Sequence, residues 1–328
     1  SLATWHQDLR NMSFAYLEKA LPLIQEHSYE FLLMNETLMG LHDREIILPL
    51  LIAAKQNEIK STYITRLLQE RNLNSIEYHP GYSLWIQTLG QFQVWRGRHR
   101  IEMQEWKREK SRQFLQILVG NRGKWLSRDQ ILSMLWPDTS TETAARNLKV
   151  VLNQLNQVLE PERPRGSTPF FVERSHELYR LNPSATILID AEIFEKEVNA
   201  IQVSTLEDAI HLYQGRYFEG CYMQEWLTVE VQYYHQQFLM ASERLTNSLL
   251  EQKELEKALQ ITYQMLTQDQ SCESAYGLQM RIFHEMGQYA MVNTVFSQYK
   301  KHFQKTFGTE ASPKIQALYD EMLEGKKH

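Results

Sequence analysis

The chain has 328 residues and a mass of 38.9 kDa, which predicts two or three domains at roughly 100–200 residues each. Its 43% hydrophobic and 23% charged residues, with a net charge of −5, exclude collagen-like, low-complexity and disordered classes. No apolar run approaches the roughly 18 residues that span a bilayer, and two cysteines form no disulfide framework, so we expect a cytoplasmic protein without membrane contact.

The first 78 residues are predicted to form helices without strands. Residues 43–54 begin at an acidic turn and continue as an apolar run, and apolar side chains recur at helical spacing over residues 63–68. The loop at residues 74–81 contains the Asn, Ser, Pro and Gly residues of a turn. We therefore predict a domain of short antiparallel helices over residues 1–78, ending at this loop.

The pattern changes to strands at residue 83. Apolar side chains alternate along residues 83–89 and 92–95, on either side of Gly90, which indicates a small β-meander. Helical spacing of apolar residues then returns. Three helices are predicted there, at residues 107–119, 128–136 and 140–159.

The end of this segment completes a recognisable order of elements. The last two helices begin with the S/T-x-x-E/Q capping box, at Ser127 with Gln130 and at Thr139 with Glu142. After a Pro-rich loop, two short strands at residues 170–174 and 177–181, joined at residues 175–176, form a hairpin. A meander, three helices and a hairpin follow the order of a winged helix, whose third helix enters the major groove of DNA. We predict this domain at residues 83–183.

From residue 187 onward the chain is predicted to be helical throughout, with an internal repeat. Leu255 and Tyr289 begin similar stretches 34 positions apart, and Lys253 and Gly287 share that offset, which is the period of the tetratricopeptide helix pair. We predict a tetratricopeptide-like domain over residues 187–325. The expected fold is therefore mainly α, with helical hairpins, a central winged helix-turn-helix that has a small β-meander and a hairpin wing, and then helical repeats.

The third helix of the predicted winged helix has an apolar face and a polar face. At 100° per residue, the leucines at positions 148, 152, 155 and 159 fall on one side. The opposite side carries groups suited to base edges, since Arg pairs with guanine, Asn and Gln pair with adenine, and Val contacts the thymine methyl. The candidate base-contacting residues are Arg146, Lys149, Val150, Asn153 and Gln157. The alternative is an ordinary solvated helix face.

Positive charge is concentrated in the same domain. Residues 84–183 carry 16 Lys and Arg against 10 Asp and Glu, a net +6, whereas residues 1–83 (7 against 10) have −3 and residues 184–328 (12 against 20) have −8. This asymmetry favours contact of the middle domain with a polyanion. The candidate phosphate and wing contacts are Lys107, Lys110, Arg112, Lys124, Arg174, His176 and Arg180. We also hypothesise that residues 1–75 pack against another domain and restrain DNA binding.

Patterns of catalysis and metal binding are lacking in the sequence. Residues 120–125 have the wrong Gly spacing for a phosphate loop, with Trp125 where Ser or Thr would hold magnesium. The 11 histidines show no paired-ligand spacing. Cys221 and Cys272 are expected to be packed thiols rather than nucleophiles. We therefore predict a protein that is not an enzyme, with no catalytic residue, metal or cofactor.

Two sets of motifs resemble a known family. Residues 104–115, 132–138, 144–148 and 155–161 resemble the OmpR-type winged helix of the antibiotic-regulatory-protein (SARP) family. Residues 212–220, Trp226 and residues 310–319 resemble the bacterial transcriptional activator domain that follows it. The resemblance implies an activator that binds double-stranded promoter DNA, usually at direct repeats as a homo-oligomer, and recruits RNA polymerase. Residues 1–75 resemble the end of a helical-repeat sensor region.

One departure from the family keeps a second function open. Asn156 and Gln157 stand where the family usually has a basic pair, so the DNA-facing helix is expected to lose two cations. The alternative function is a tetratricopeptide-type adaptor, in which a degenerate winged helix has become a protein-interaction surface and no longer binds DNA.

Overall fold

The computed structural model describes residues 2–7, 9–34, 43–199, 203–221 and 227–324. The chain divides into two compact units, Ser1–Ile86 with Gln93–Leu188 and Gln87–Phe92 with Ile189–His328. The first unit therefore contains both the predicted helical domain and most of the predicted winged helix, and the loop at residues 74–81 lies inside it. A finer division of this unit at residues 78–83 remains a proposal.

The first unit begins with helices, and no strand occurs among the described residues up to position 78. The helices are α1 (Leu2–His6), α2 (Arg10–Glu26), α3 (Phe31–Met34), α4 (Leu48–Gln56) and α5 (Ser61–Gln69), with a 3-10 turn at Arg44–Ile47. Asp43 caps this turn, because its Oδ1 accepts a hydrogen bond from the N–H of Glu45 at 3.0 Å. Helix α4 is apolar on most sides and buries Leu48, Leu50 and Leu51.

The winged helix confirms the predicted order of elements. It consists of β1 (Leu84–Gln87), β2 (Gln93–Arg96), β3 (His99–Arg100), a 3-10 turn at Met103–Trp106, α6 (Glu109–Gly120), β4 (Leu126–Ser127), α7 (Arg128–Leu135), α8 (Thr141–Leu159), β5 (Val172–Ser175), β6 (Leu178–Leu181) and β7 (Ile187–Ile189). One sheet has the strand order β3-β2-β1-β7 and the other has the order β4-β6-β5. Helix α8 packs its buried stripe against α6 and α7.

Two strand predictions need correction. The chain is not helical from residue 187, because β7 alternates buried Ile187, exposed Leu188 and buried Ile189. In the wing, Ser175 of β5 pairs with Leu178 of β6, so the turn consists of residues 176 and 177 rather than 175 and 176. Both segments have only three or four residues, which is too short for periodicity to define their ends.

One of the two predicted capping boxes is confirmed. The Oγ of Ser127 accepts the N–H of Gln130 at 3.3 Å, and the Oε1 of Gln130 accepts the N–H of Ser127 at 2.9 Å. The prediction at Thr139 is wrong because α8 begins one residue later, with Ser140 as its N-cap. The Ser140 hydroxyl donates a hydrogen bond to the Thr143 hydroxyl at 3.0 Å and does not cap a backbone N–H of the helix.

The second unit is a series of helices. They are α9 (Asp190–Val198), α10 (Val203–Leu212), α11 (Thr228–Glu251), α12 (Leu255–Gln268), α13 (Glu273–Glu285), α14 (Tyr289–Phe307) and α15 (Pro313–Glu324). Residues 87–92 belong to this unit, and the buried Asp190 holds them. Its carboxylate accepts hydrogen bonds from the Thr88 N–H at 2.7 Å and the Leu89 N–H at 2.9 Å. Trp226, part of the family resemblance, lies outside the described residues.

The 34-residue repeat is visible in the turns that join the helices. Lys253, between α11 and α12, and Gly287, between α13 and α14, both have left-handed backbones, with φ values of 61° and 70°. The same three backbone hydrogen bonds close each turn, for example from Glu254 to Leu249 and from Gln288 to Phe283. The two helix pairs are therefore equivalent, which confirms the predicted tetratricopeptide-like repeat.

Candidate nucleic-acid interface

The outward face of α8 is the centre of the candidate interface. The helix is held by buried Leu148 and Leu155, which fix the direction of its opposite face. The structure exposes all five predicted base-contacting residues there, Arg146, Lys149, Val150, Asn153 and Gln157. These residues extend over about 17 Å of helix at 1.5 Å per residue. Their contact with DNA bases stays a prediction.

The expected loss of two cations from the DNA-facing surface needs correction, because Asn156 does not lie on that surface. This side chain is only 4% exposed, and its Oδ1 has no hydrogen-bond partner among the described residues. Neighbouring segments cover the last turn of α8, where Arg96 donates to the Val158 carbonyl at 2.9 Å and the Tyr82 hydroxyl donates to the Leu159 carbonyl at 2.7 Å. Of the two positions where the family has a basic pair, only Gln157 faces outward, so the DNA-facing surface loses one cation rather than two.

The candidate phosphate contacts before the wing differ in how available they are. Lys107 and Lys124 are exposed. Lys110 is half-buried, and its Nζ donates to the Leu135 carbonyl at 2.6 Å, which fastens α6 to the end of α7. Arg112 lies 3.2 Å from the Glu109 carboxylate. Lys110 therefore has a structural role that the sequence did not reveal.

Basic side chains on the wing are oriented by their neighbours. The Nε of Arg174 donates to the carbonyl of His176 at 2.9 Å, across the turn in which the exposed His176 lies. Arg180 lies 4.2 Å from the ring centroid of Trp125 and donates to Glu173 at 2.7 Å. Trp125 is 37% exposed, and sequence analysis missed it as a surface residue of this interface, although a Trp in a turn beside Lys124 is a usable signal.

A buried charge cluster joins residues 43–79 to the strand region of the winged helix. Glu45 is 1% exposed and accepts hydrogen bonds from Arg71 and from the Thr186 hydroxyl. The Nδ1 of His79 accepts the Gly81 N–H at 3.0 Å, which leaves the ring proton on Nε2, 3.1 Å from the second Glu45 oxygen. Asp43 adds a further contact, since its Oδ2 accepts the Ser83 N–H at 3.0 Å.

Burial and the neighbouring charges shift the pKa values of both Glu45 and His79. Burial alone would raise the pKa of the Glu45 carboxyl, but His79 and Arg71 outweigh it and lower that pKa from 4.5 to about 2. Burial lowers the pKa of His79 below its usual 6.5, although the adjacent Glu45 acts in the opposite direction. Glu45 is therefore an anion and His79 is neutral at neutral pH.

The elements around α8 have the order of a winged helix, and comparisons with known proteins indicate the class of protein that contains it. A family model for the C-terminal domain of transcriptional regulatory proteins matches residues 106–169, and one for the bacterial transcriptional activator domain matches residues 191–323. The chain therefore contains an OmpR-type winged helix followed by a bacterial transcriptional activator domain, the pair of domains found in transcriptional regulators of the SARP type.

A solved structure has a similar fold. It is that of Mycobacterium tuberculosis EmbR in complex with a low affinity phosphopeptide, with a TM-score of 0.59 and 14% sequence identity. The similarity covers 74% of this chain and 66% of that chain. No curated protein sequence matches the chain.

Two kinds of feature are absent from the part of the chain that the structure describes. Within the described ranges, none of the helices has the length and apolar character needed to cross a membrane. In the same ranges, no group of three or more His, Cys, Asp or Glu side chains is placed to hold a metal ion. Both families that match are families of transcription regulators.

Proposed function

We propose that the protein binds double-stranded promoter DNA through its winged helix and activates transcription by contacting RNA polymerase. The observation that carries the proposal is the outward face of α8, where five side chains suited to base edges are all exposed on a helix whose other face is buried. The major groove is about 12 Å wide and admits one α-helix. Helix α8 is the element that would enter it.

The wing supports the same mode of binding. Arg174 lies in β5 and His176 in the turn that follows it, and Arg180 is stacked on Trp125. Such side chains would contact phosphates beside the groove and position the module without selecting sequence. In this proposal the protein works in the cytoplasm and binds direct repeats as a homo-oligomer.

The test is a selection of bound fragments from genomic DNA, followed by titration of the preferred duplex. Arg146→Ala and Asn153→Ala should each weaken binding to that duplex by about 1–3 kcal/mol and relax specificity. Arg174→Ala should weaken binding to all sequences alike and reduce the salt dependence. Lys305→Ala, at an exposed position of α14, is the control and should change neither.

The adaptor is the second candidate function, and one observation favours it. Lys110, Arg112 and Arg180 have acceptors within the protein, which leaves fewer cations for DNA than the sequence suggests. An adaptor would retain no duplex. Equal, negligible retention of every fragment at low salt would therefore replace the DNA-binding proposal with the adaptor.

A further inference from the structure

Positive charge within the winged helix is concentrated in one short segment. Residues 96–112 carry 7 Lys and Arg against 3 Asp and Glu, a net +4. The whole of residues 84–183 has a net +6, from 16 against 10. Two thirds of the excess therefore lie in 17 residues that run from the end of β2 into α6. Neither α8 nor the wing contributes to this concentration.

Three of the seven Lys and Arg in this segment, Arg96, Lys110 and Arg112, have acceptors within the protein. Arg96 pairs with the Glu105 carboxylate, and His99 lies 2.9 Å from the other oxygen of that group. Four further cations are exposed, and no hydrogen bond or ion pair of their side chains is made with any described residue. They are Arg98, Arg100, Lys107 and Arg108, which together are named the β2–β3 basic surface.

Lys107, one of these four residues, lies beside the outward face of α8. Arg96, at the end of β2, donates to the Val158 carbonyl in the last turn of α8 at 2.9 Å. A groove of about 300 Å³ lies beside this bond, and both Lys107 and Gln157 line it. A duplex against Gln157 would therefore continue toward Lys107 and the β2–β3 turn.

Lys107 has a backbone conformation that does not favour lysine. Its φ is 53° and its ψ is −35°, and the Arg108 N–H donates across it to the Trp106 carbonyl. This left-handed region favours glycine, and a side chain there costs on the order of 1 kcal/mol. The Lys107 side chain is exposed and has no acceptor among the described residues, so its charge is available for a contact outside the protein.

We propose that the β2–β3 basic surface binds the phosphate backbone of duplex DNA beside the segment that α8 contacts. The inference rests on the proposed function and extends it to a second backbone contact. Each phosphate contact on B-DNA adds about 0.9 to the slope of log affinity against log salt. Four such contacts would therefore add a loss of affinity of about 100-fold when the salt concentration rises from 50 to 200 mM.

The experiment measures this slope for the full chain. A fluorescein-labelled duplex of mixed sequence, about 30 base pairs long, is titrated by anisotropy from 50 to 200 mM KCl. The double variant Arg98→Ala/Arg100→Ala should lower the slope by about 2. The matched double variant Lys301→Ala/Lys305→Ala removes the same charge from exposed positions on α14, and the slope should stay at the wild-type value.

A single variant separates binding from folding. Lys107→Gly removes one cation and relieves the left-handed backbone, so it should raise the Tm while lowering the slope by about 1. A merely structural lysine would give the higher Tm with no change in slope. That result would overturn the role of Lys107.

The remaining outcomes distinguish the inference from the proposed function. If the wild-type chain does not bind the duplex at 50 mM KCl, the proposed function fails and the inference fails with it. If Lys149→Ala lowers the slope but Arg98→Ala/Arg100→Ala leaves it unchanged, the proposed function stands and the inference is overturned. An unchanged slope with altered sedimentation of the DNA-free double variant would instead assign this surface to a contact between two copies of the chain.

Discussion

Replacing Glu45 by Gln should destabilise the first unit strongly at neutral pH and hardly at all in acid. The change keeps the shape of the side chain but removes its charge. Arg71, whose side chain is only 15% exposed, would then lie beside a neutral amide. Removing one partner of a buried ion pair costs about 3–5 kcal/mol, because the remaining charge is left without compensation.

The pKa of Glu45 gives a second estimate of the same quantity. A carboxyl whose pKa falls from 4.5 to about 2 on folding stabilises the fold by about 3 kcal/mol when it is ionised. Since the folded pKa is the lower one, this stability is fully present above about pH 4.5 and is lost as the pH falls toward 2. His79, with its pKa lowered by burial, adds a separate loss of stability that begins below its usual 6.5.

Tryptophan fluorescence during urea unfolding is a suitable assay, because six of the seven tryptophans lie in the sequence range of the first unit. The free energies of unfolding of wild type and Glu45→Gln should differ by about 3 kcal/mol at pH 7, by about half of that at pH 3, and by little near pH 2. Glu30→Gln is the control, since its partner Arg66 is 55% exposed and the expected loss is below about 1 kcal/mol. A difference between wild type and Glu45→Gln that stays constant from pH 7 to pH 3 would refute the reasoning.

Two further predictions concern the helical repeat. Ala275 is fully buried, so Ala275→Trp should cost about 1–3 kcal/mol through overpacking, whereas Ala290→Trp, at an exposed position of α14, should leave the thermal midpoint unchanged; equal midpoints would contradict the packing. Lys253→Gly should stabilise the second unit by up to about 1 kcal/mol, because relief of the left-handed backbone exceeds the loss of an exposed ion pair to Glu285. Gly287→Lys should lower the stability of the second unit by a similar amount, although a Cβ at this position meets open space. The thermal midpoint, measured by circular dichroism, should therefore rise for Lys253→Gly and fall for Gly287→Lys. A shift of both midpoints in the same direction would refute the equivalence of the two turns.

Patterns that depend on one element could be predicted from the sequence. The Ser127 and Gln130 capping box needs only residues three apart. The two faces of α8 follow from 3.6-residue periodicity over 19 residues. The repeat could be recognised from a single sequence offset of 34 residues, and Lys253 and Gly287, which have this offset, lie at equivalent left-handed turns. Each of these features is fixed by local geometry, so distant contacts could not reverse it.

Features that depend on distant partners could not be predicted. Strand β4 has two residues and β7 has three, which is too few for a period to be recognised, and β4 is a strand only because it pairs with β6. Asn156 is buried in the last part of α8, where Arg96 and Tyr82 from elsewhere in the first unit donate to the final carbonyls of the helix. Periodicity describes the helix alone and contains no information about what covers its last turn.

The hypothesis that residues 1–75 restrain DNA binding depends on the same kind of distant contact. These residues do contact the winged helix, because Asp43 binds Ser83, 40 positions away, and Glu45 binds Thr186, 141 positions away. Both contacts lie at or beside the strands β1 and β7, while Arg146 and Asn153 on α8 remain exposed. The described part of residues 1–75 therefore does not cover Arg146 and Asn153 of α8 in this structure. Restraint would have to act by favouring a second conformation that binds DNA less well, since only a difference in affinity between two states can shift binding.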